Sequence, residues 1–134
     1  MTEPATLQVV TSPEPYRLAA PVWVRLFLIN TGQQMIEIGV STPEKDFDLD
    51  LRFAGHPVPR TDYGAGLRDS LRKMSSRELS PGETYQADIE LSEVFVIDRP
   101  GRYVLRVAAR VNLGLSDERA RIISDPVALD IVAH

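Results

Sequence analysis

Histidine is the side chain that most limits the chemistry open to this sequence. The chain has two, His56 in a proline-rich turn and His134 at the last position. A Ser-His-Asp relay would have to use His56 as its base, and no Gly-x-Ser-x-Gly nucleophile elbow accompanies it. We therefore predict that His56 is a solvent-facing turn residue, that the chain has no catalytic residue, and that it is not an enzyme.

Carboxylates at period two are the only pattern that suggests a metal ion. Asp46, Asp48 and Asp50 lie on one side of a predicted strand, about 7 Å apart along it. Calcium prefers oxygen ligands that converge from loops, and a straight strand spreads them. The sequence has no cysteine, so a thiolate zinc site and a disulfide are excluded, and no Walker loop, dinucleotide fingerprint or zinc-protease motif occurs. We predict a solvated strand face, with no metal and no cofactor.

Positive charge is concentrated in residues 60–77, where five basic residues stand against Asp62 and Asp69 in a chain whose net charge is −4. Arginine can hold a carboxylate through two parallel hydrogen bonds. The stretch therefore predicts a surface for an acidic partner or a carboxylate-bearing ligand, and the alternative is a solvated linker. The residues predicted for this surface are Arg60, Tyr63, Arg68, Arg72 and Lys73. The polar turn at residues 112–119 is a second candidate.

The single tryptophan offers a different kind of site. Trp23 alternates with Arg25 and Phe27 on one face of a predicted strand. An exposed aromatic ring on a sheet face can bind carbohydrate or another small molecule, whereas a covered ring packs in the interior. Because aromatic residues make up only 7% of the chain, we predict that Trp23 is covered.

The elements that must position these residues are strands. Alternation of apolar and polar residues recurs in short segments separated by Pro, Gly, Asn and Asp, which is typical of a sandwich or barrel. Predicted strands lie at residues 7–9, 22–29, 35–40, 47–53, 84–91, 103–111 and 119–132, the last interrupted by Pro126. Leu67, Leu71 and Met74 recur at helical spacing and predict one or two helical turns within the connection 60–77. Ser92 is predicted to cap a short crossover.

Size and charge restrict the class of protein. A chain of 134 residues that is 43% hydrophobic can bury one core, so we predict one domain over residues 1–134. The negative net charge offers no broad attraction for nucleic acid. The longest apolar run, residues 19–29, is too short to cross a bilayer, and residues 1–5 show no signal peptide. These features predict a cytoplasmic protein without a membrane span, and the alternative is an exported protein whose leader has been removed.

Several late motifs resemble those of bacterial immunoglobulin-like domains. They are Leu79-x-Pro-Gly-Glu83, Asp88-x-x-Leu91-Ser92, Pro100-Gly-x-Tyr103 and Ser124-Asp-Pro-Val127. The resemblance implies an all-β fold, an immunoglobulin-like two-sheet antiparallel β-sandwich of about 7–9 strands. It also implies that the Tyr103 hydroxyl bonds to backbone upstream, as in a tyrosine corner.

A looser similarity is to the bacterial intracellular proteinase inhibitor family. It rests on Leu28-Ile-Asn30-Thr31, Phe47-Asp-Leu-Asp50, Gly55-x-Pro-Val58 and the two Pro-Gly motifs given above. This similarity implies an inhibitor of proteases.

The function predicted from the sequence is a non-enzymatic protein–protein interaction module that acts as an accessory, scaffold or inhibitor-like element. One alternative is a module that binds carbohydrate or another small molecule around Trp23, and another is a protease inhibitor. The expected partner is a protein. An exposed sheet edge near Pro126 could also pair with a second copy of the chain.

Overall fold

The computed structural model describes residues 4–67, 75–113 and 118–133, and within them the chain is built mostly of strands. The strands are β1 (Thr6–Val10), β2 (Tyr16–Arg17), β3 (Trp23–Ile29), β4 (Ile36–Val40), β5 (Phe47–Phe53), β6 (His56–Pro57), β7 (Ser75–Leu79), β8 (Thr84–Glu90), β9 (Gly101–Leu113), β10 (Arg119–Ile123) and β11 (Val127–Val132). The short helices are α1 (Pro43–Asp46), α2 (Asp62–Gly66) and α3 (Leu91–Val94).

The strands form two sheets. The smaller sheet has the order β1-β3-β8, and both of its pairings are antiparallel. The larger sheet contains the other eight strands. The prediction of an all-β chain with two sheets is thereby confirmed at this level.

Strand β9 is the centre of the larger sheet. Along one edge it pairs with β11 through residues 101–105 and with β10 through residues 108–112. Along the other edge it pairs with β5 through residues 103–109 and with β4 at its last two residues. A strand of 13 residues is therefore held on both edges along most of its length.

The core lies between the two sheets and follows from the alternation of each strand. Leu26, Leu28 and Ile89 of the smaller sheet are buried, as are Leu51 and Leu105 of the larger sheet. Residues between them on the same strands face outward. The alternation predicted for residues 47–53 is confirmed, because Phe47, Leu49 and Leu51 are buried and the charged residues between them are partly or fully exposed.

The strand inventory differs from the prediction in three places. Two pairs of residues form the additional strands β2 and β6, and β2 runs parallel to β11, so the larger sheet is not wholly antiparallel. Strand β7 pairs with β4 and lies partly within the predicted connection 60–77. Helix α2 covers residues 62–66 and so precedes the residues whose spacing predicted a helical turn: Leu67 is its C-cap, and Leu71 and Met74 lie outside the described residues.

Turn chemistry agrees with the prediction at two positions. Gly82 has φ +89° and the Glu83 N–H donates to the Ser80 carbonyl at 2.9 Å, as a type II turn requires. The Tyr103 hydroxyl donates to the Arg99 carbonyl at 2.8 Å, which is the backward bond expected of that residue. Burial raises the pKa of Tyr103, although the Arg99 carbonyl bond opposes the rise.

Pro126 interrupts the last predicted strand, and residues 124–126 separate β10 from β11. Ser124 bridges the gap, because its N–H donates to the Val107 carbonyl at 2.8 Å and its Oγ accepts from the Val107 N–H at 3.0 Å. The hydrogen bonds along β9 therefore continue through Ser124, whereas Pro126, which has no N–H, could not donate one.

Glu90 occupies a position that alternation assigns to solvent, yet its side chain is buried. Its Oε1 accepts from the Val22 N–H at 2.7 Å and from the N–H and hydroxyl of Ser92. The predicted cap of the crossover, Ser92, is therefore wrong: Glu90 caps α3, and Ser92 is the donor.

Within the described ranges, none of the helices is long and apolar enough to span a membrane.

Candidate functional site

Arg60 is the predicted surface residue whose surroundings are best defined. Its Nη2 donates to the Leu49 carbonyl at 3.1 Å and its Nη1 to the Gly64 carbonyl at 3.4 Å. The guanidinium also lies 5.0 Å from the centre of the Phe95 ring, a cation–π distance. Arg60 therefore connects β5, α2 and the segment after α3, so its guanidinium is engaged within the chain.

Tyr63 is carried on α2 and is 43% exposed. The helix is fixed by Thr61, whose Oγ1 accepts from the Gly64 N–H at 3.0 Å and whose N–H donates to the Val94 carbonyl at 2.9 Å. Gly64 is required there, because a Cβ at that position would lie 2.1 Å from the same carbonyl oxygen. Tyr63 is thus presented by a short but firmly docked helix.

The other three predicted residues, Arg68, Arg72 and Lys73, lie outside the described residues. The second predicted surface is described only at its ends, where the Leu113 N–H donates to the Glu118 carbonyl at 2.9 Å. That Arg60, Tyr63, Arg68, Arg72 and Lys73 form one binding surface stays a prediction.

A groove of about 330 Å³ lies beside Arg60 and carries charges of both signs. The residues that line it are Glu44, Lys45, Phe47, Asp48, Leu49, Arg60, Leu67 and Arg110. Asp48 and Arg110 in its wall approach each other to 3.9 Å. The groove is a shallow polar depression, and its charges partly neutralise one another.

The aspartates that raised the question of a metal ion have other partners. Asp46 accepts hydrogen bonds from the N–H and hydroxyl of Ser41. Asp50 lies 3.2 Å from Arg52. Among the described residues, no group of three or more His, Cys, Asp or Glu side chains is placed to hold a metal ion.

Trp23 is 55% exposed, so the prediction that it is covered is wrong. It lies at the start of β3 on the outer face of the smaller sheet. Val10, 48% exposed, pairs with Arg25 on the same face, and Arg25 lies 2.8 Å from Asp88 of β8. We call this surface the Trp23 patch: Val10, Trp23, Arg25, Phe27 and Asp88.

The exposure of Trp23 has two local causes. Strand β1 ends at Val10, opposite Arg25, so β1 supplies no paired side chain beside Trp23. On the other side, Trp23 pairs with Glu90, whose side chain turns inward to the Val22 N–H. The Trp23 carbonyl is meanwhile fixed by the Tyr16 hydroxyl at 2.6 Å. Alternation could not reveal this, because it describes a strand without its neighbours.

Comparison with known proteins supports the fold and gives no family. No protein-family model and no curated protein matches the chain. Among solved structures it is similar to the Northeast Structural Genomics Consortium target SoR45, with a TM-score of 0.59 and 13% identity over 98% of this chain and 89% of that one. At such low identity the likeness concerns the fold alone.

A second match is the Pseudomonas fluorescens alkylpurine DNA glycosylase AlkC, determined bound to DNA that contains an abasic site analog. The TM-score is 0.47 and the identity 14%, over 96% of this chain and 30% of that one. Because this match is an enzyme, the prediction that the chain is not an enzyme is not retained; enzymatic function is not established either, since the match covers 30% of that chain at 14% identity. The physical reason is that catalytic groups assemble in space from distant residues, so a missing motif does not exclude them. The match gives this chain no activity, because similarity to 30% of an enzyme does not transfer its chemistry.

Proposed function

We propose that this chain is an immunoglobulin-like sandwich that acts as a protein–protein interaction module, and that the Trp23 patch is its contact surface. The observation that carries the proposal is the exposure of the only tryptophan on a regular sheet face. Tryptophan and arginine are enriched among the residues that dominate binding energy in protein interfaces.

The composition of the patch supports a protein partner. Trp23 and Val10 supply apolar area, and Val10 lies diagonally across from Trp23 on the neighbouring strand. The Arg25–Asp88 ion pair borders that area, and both side chains are about half exposed. An apolar centre with a polar rim is the usual anatomy of an interface, and the strands beneath it hold the patch in one shape.

The immunoglobulin-like assignment is supported by the Tyr103–Arg99 bond and by the packing of a three-stranded sheet on a larger one. In sandwiches of this kind a tyrosine near the start of a late strand bonds to backbone a few residues upstream.

A comparison of three proteins tests the proposal: the natural chain, Trp23→Ala and the control Val132→Thr, which alters an exposed apolar residue on the larger sheet. Each is used to capture partners from extract, and any partner held by the natural chain is purified and its affinity measured. We expect Val132→Thr to bind as the natural chain does and Trp23→Ala to bind about 30-fold more weakly, as a dominant interface residue would. Equal affinity of Trp23→Ala and the natural chain for every purified partner would overturn the proposal.

Binding of carbohydrate is the second candidate, and the exposure of Trp23 also favours it. Phe27, half-buried, lies four residues further along β3 on the same face, with Gln8 and Gln86 as its paired neighbours. Aromatic rings flanked by amides can stack on a sugar and bond to its hydroxyls.

The two candidates are separated by titration of purified chain with a panel of soluble oligosaccharides while the tryptophan emission is followed. Carbohydrate binding predicts a saturable change in the tryptophan emission of the natural chain. Trp23→Ala has no tryptophan, so its binding is measured by calorimetry and is expected to be lost. The absence of saturation with every sugar in the panel would leave the protein partner as the better account.

A further inference from the structure

Arginine is concentrated on the outer face of the larger sheet. The outward charged residues of β5, β9, β10 and β11 are Asp48, Asp50, Arg52, Arg102, Arg106, Arg110, Arg119, Arg121 and Asp130. We call this surface the arginine face. Its six arginines and three aspartates leave a charge of +3 on these four strands. On the same side of the sheet, β4 and β7 carry the paired acids Glu37 and Glu78, so the positive charge is concentrated on β5, β9, β10 and β11.

Two of these arginines are directly opposed. Arg110 of β9 and Arg121 of β10 are paired residues on the same face, an arrangement of like charges that destabilises a sheet unless it is compensated. Asp48 of β5 lies 3.9 Å from Arg110 and 3.7 Å from Arg121. One carboxylate therefore serves two guanidinium groups, and one positive charge at this point remains uncompensated.

Arg106 and Arg119 add to the excess. In residues 4–67, 75–113 and 118–133, neither arginine has a salt-bridge partner. Asp50, which pairs with Arg106 across the sheet, lies 3.2 Å from Arg52 instead. Asp130 compensates Arg102 at 3.5 Å. The uncompensated charge is therefore located toward β10, around Arg106, Arg110, Arg119 and Arg121.

The surface among these arginines is concave. Ala108, the paired residue of both Asp48 and Ile123, is the small residue at its floor. The depression measures about 470 Å³ and is lined by Asp48, Leu49, Asp50, Arg106, Val107, Ala108, Arg121 and Ile123. Ile123 is 51% exposed at its margin, so an apolar contact is available next to the charges.

We propose that the arginine face is a docking surface for an acidic segment of a partner protein, with carboxylates held by Arg106, Arg110 and Arg121 and an apolar side chain against Ile123. Arginine suits carboxylates because its planar fork donates two parallel hydrogen bonds. The surface lies on the sheet opposite the Trp23 patch, so this inference goes beyond the proposed function, and the two stand or fall separately.

Carboxylates fit this surface better than a nucleic acid backbone. Asp48 and Asp50 would repel a continuous row of phosphates, whereas in a protein complex they can accept from the partner's own donors. Bound single strands also stack their bases on aromatic side chains, and among the described strands the outward residues of this face include none.

The test measures binding of a labelled glutamate-rich peptide to the full chain by fluorescence anisotropy, with a lysine-rich peptide and a single-stranded oligonucleotide as comparison probes. Arg106→Gln/Arg121→Gln removes two positive charges from the face. The matched control Arg77→Gln/Arg99→Gln removes two exposed arginines elsewhere, which lie over Tyr85 and Phe53. Circular dichroism and thermal unfolding establish that each variant is folded, and single substitutions replace any double variant that is not.

We expect saturable binding of the glutamate-rich peptide that weakens as salt is raised. The substitution on the face should weaken it about tenfold or more, while the control remains within about twofold. Arg106→Lys/Arg121→Lys keeps the charge but loses the planar guanidinium group, so its affinity for the peptide should lie between those of the face variant and the control. Equal loss in the control, no saturable binding, or tighter binding of the oligonucleotide than of the peptide would each overturn the proposal.

Discussion

Glu90 shows how one side chain can define a junction. Its carboxyl group accepts from the N–H of Val22 just before β3 and caps α3 through Ser92, while its own backbone ends β8. A buried donor that loses its acceptor bears the full cost of desolvation. The junction of three elements therefore depends on this residue.

Glu90→Ala is accordingly expected to lower the free energy of unfolding by about 3 kcal/mol, because it leaves the Val22 N–H without its acceptor. Asp88→Ala is the matched control on the same strand, where the exposed pair with Arg25 should contribute about 0.5 kcal/mol. Denaturant unfolding followed by circular dichroism measures both. Comparable losses in the two variants would contradict the role assigned to Glu90.

Glu83 provides the pH dependence of the turn before β8. The Ser80 N–H donates to its Oε1 at 2.7 Å, and this bond, together with the Ser80 side chain, lowers the pKa of Glu83. An acid whose pKa is lower in the folded chain stabilises the fold at pH above its ordinary value, and that stabilisation is lost as the pH falls through the folded value.

Glu83→Gln should therefore be less stable than the natural chain at neutral pH, and the difference should shrink in acid. Denaturant unfolding at neutral and acidic pH measures it. A difference that grows as the pH falls would show that the bond does not act through the ionised carboxylate.

At the scale of elements, the β5–β6 hairpin has a strained turn. Its two central residues, Ala54 and Gly55, have φ +51° and +81°, which indicates a type I′ turn, since that turn places both residues at positive φ. Alanine is disfavoured in this conformation and asparagine tolerates it. The turn therefore has a favoured residue, Gly55, at only one of its two central positions.

We expect Ala54→Asn to stabilise the chain by about 0.5 to 1 kcal/mol, because it relieves the strain at positive φ. Ala54→Val is the opposing control and should destabilise it, since β-branched residues are poorly accommodated there. The midpoint of denaturant unfolding compares the three proteins. A lower midpoint for Ala54→Asn would contradict the turn assignment.

An element could be predicted from the sequence where its own residues determine its structure, and could not where contacts with distant strands determine it. Residues 47–53 could be assigned because every second residue is apolar, and the Pro81-Gly82 turn because glycine supplies the positive φ. Strand β7 could not, because four of its five residues are exposed and only Leu79 is buried. The burial of the Glu90 side chain and the exposure of Trp23 depend on paired strands that are distant in sequence. The residue pattern of a single strand carries no information about those neighbours.

At the scale of the whole molecule, both sheets contribute to one hydrophobic cluster that extends from Ala5 to Ile131. We predict on this basis that the chain unfolds as a single cooperative unit. Trp23 emission reports on the smaller sheet and far-ultraviolet circular dichroism reports on both, so the two denaturation curves should coincide. Separate midpoints would show that the sheets unfold independently and would contradict the prediction of one domain.

The central place of β9 has a consequence for synthesis on the ribosome. Strand β5 has β9 as its long ladder partner, from residue 47 paired with 109 to residue 53 paired with 103. The ribosome makes β5 well before β9, so β5 emerges with its long edge unpaired until residues beyond 109 have left the exit tunnel. Such an edge is open to association with other chains. We expect the larger sheet to assemble late in translation or after release.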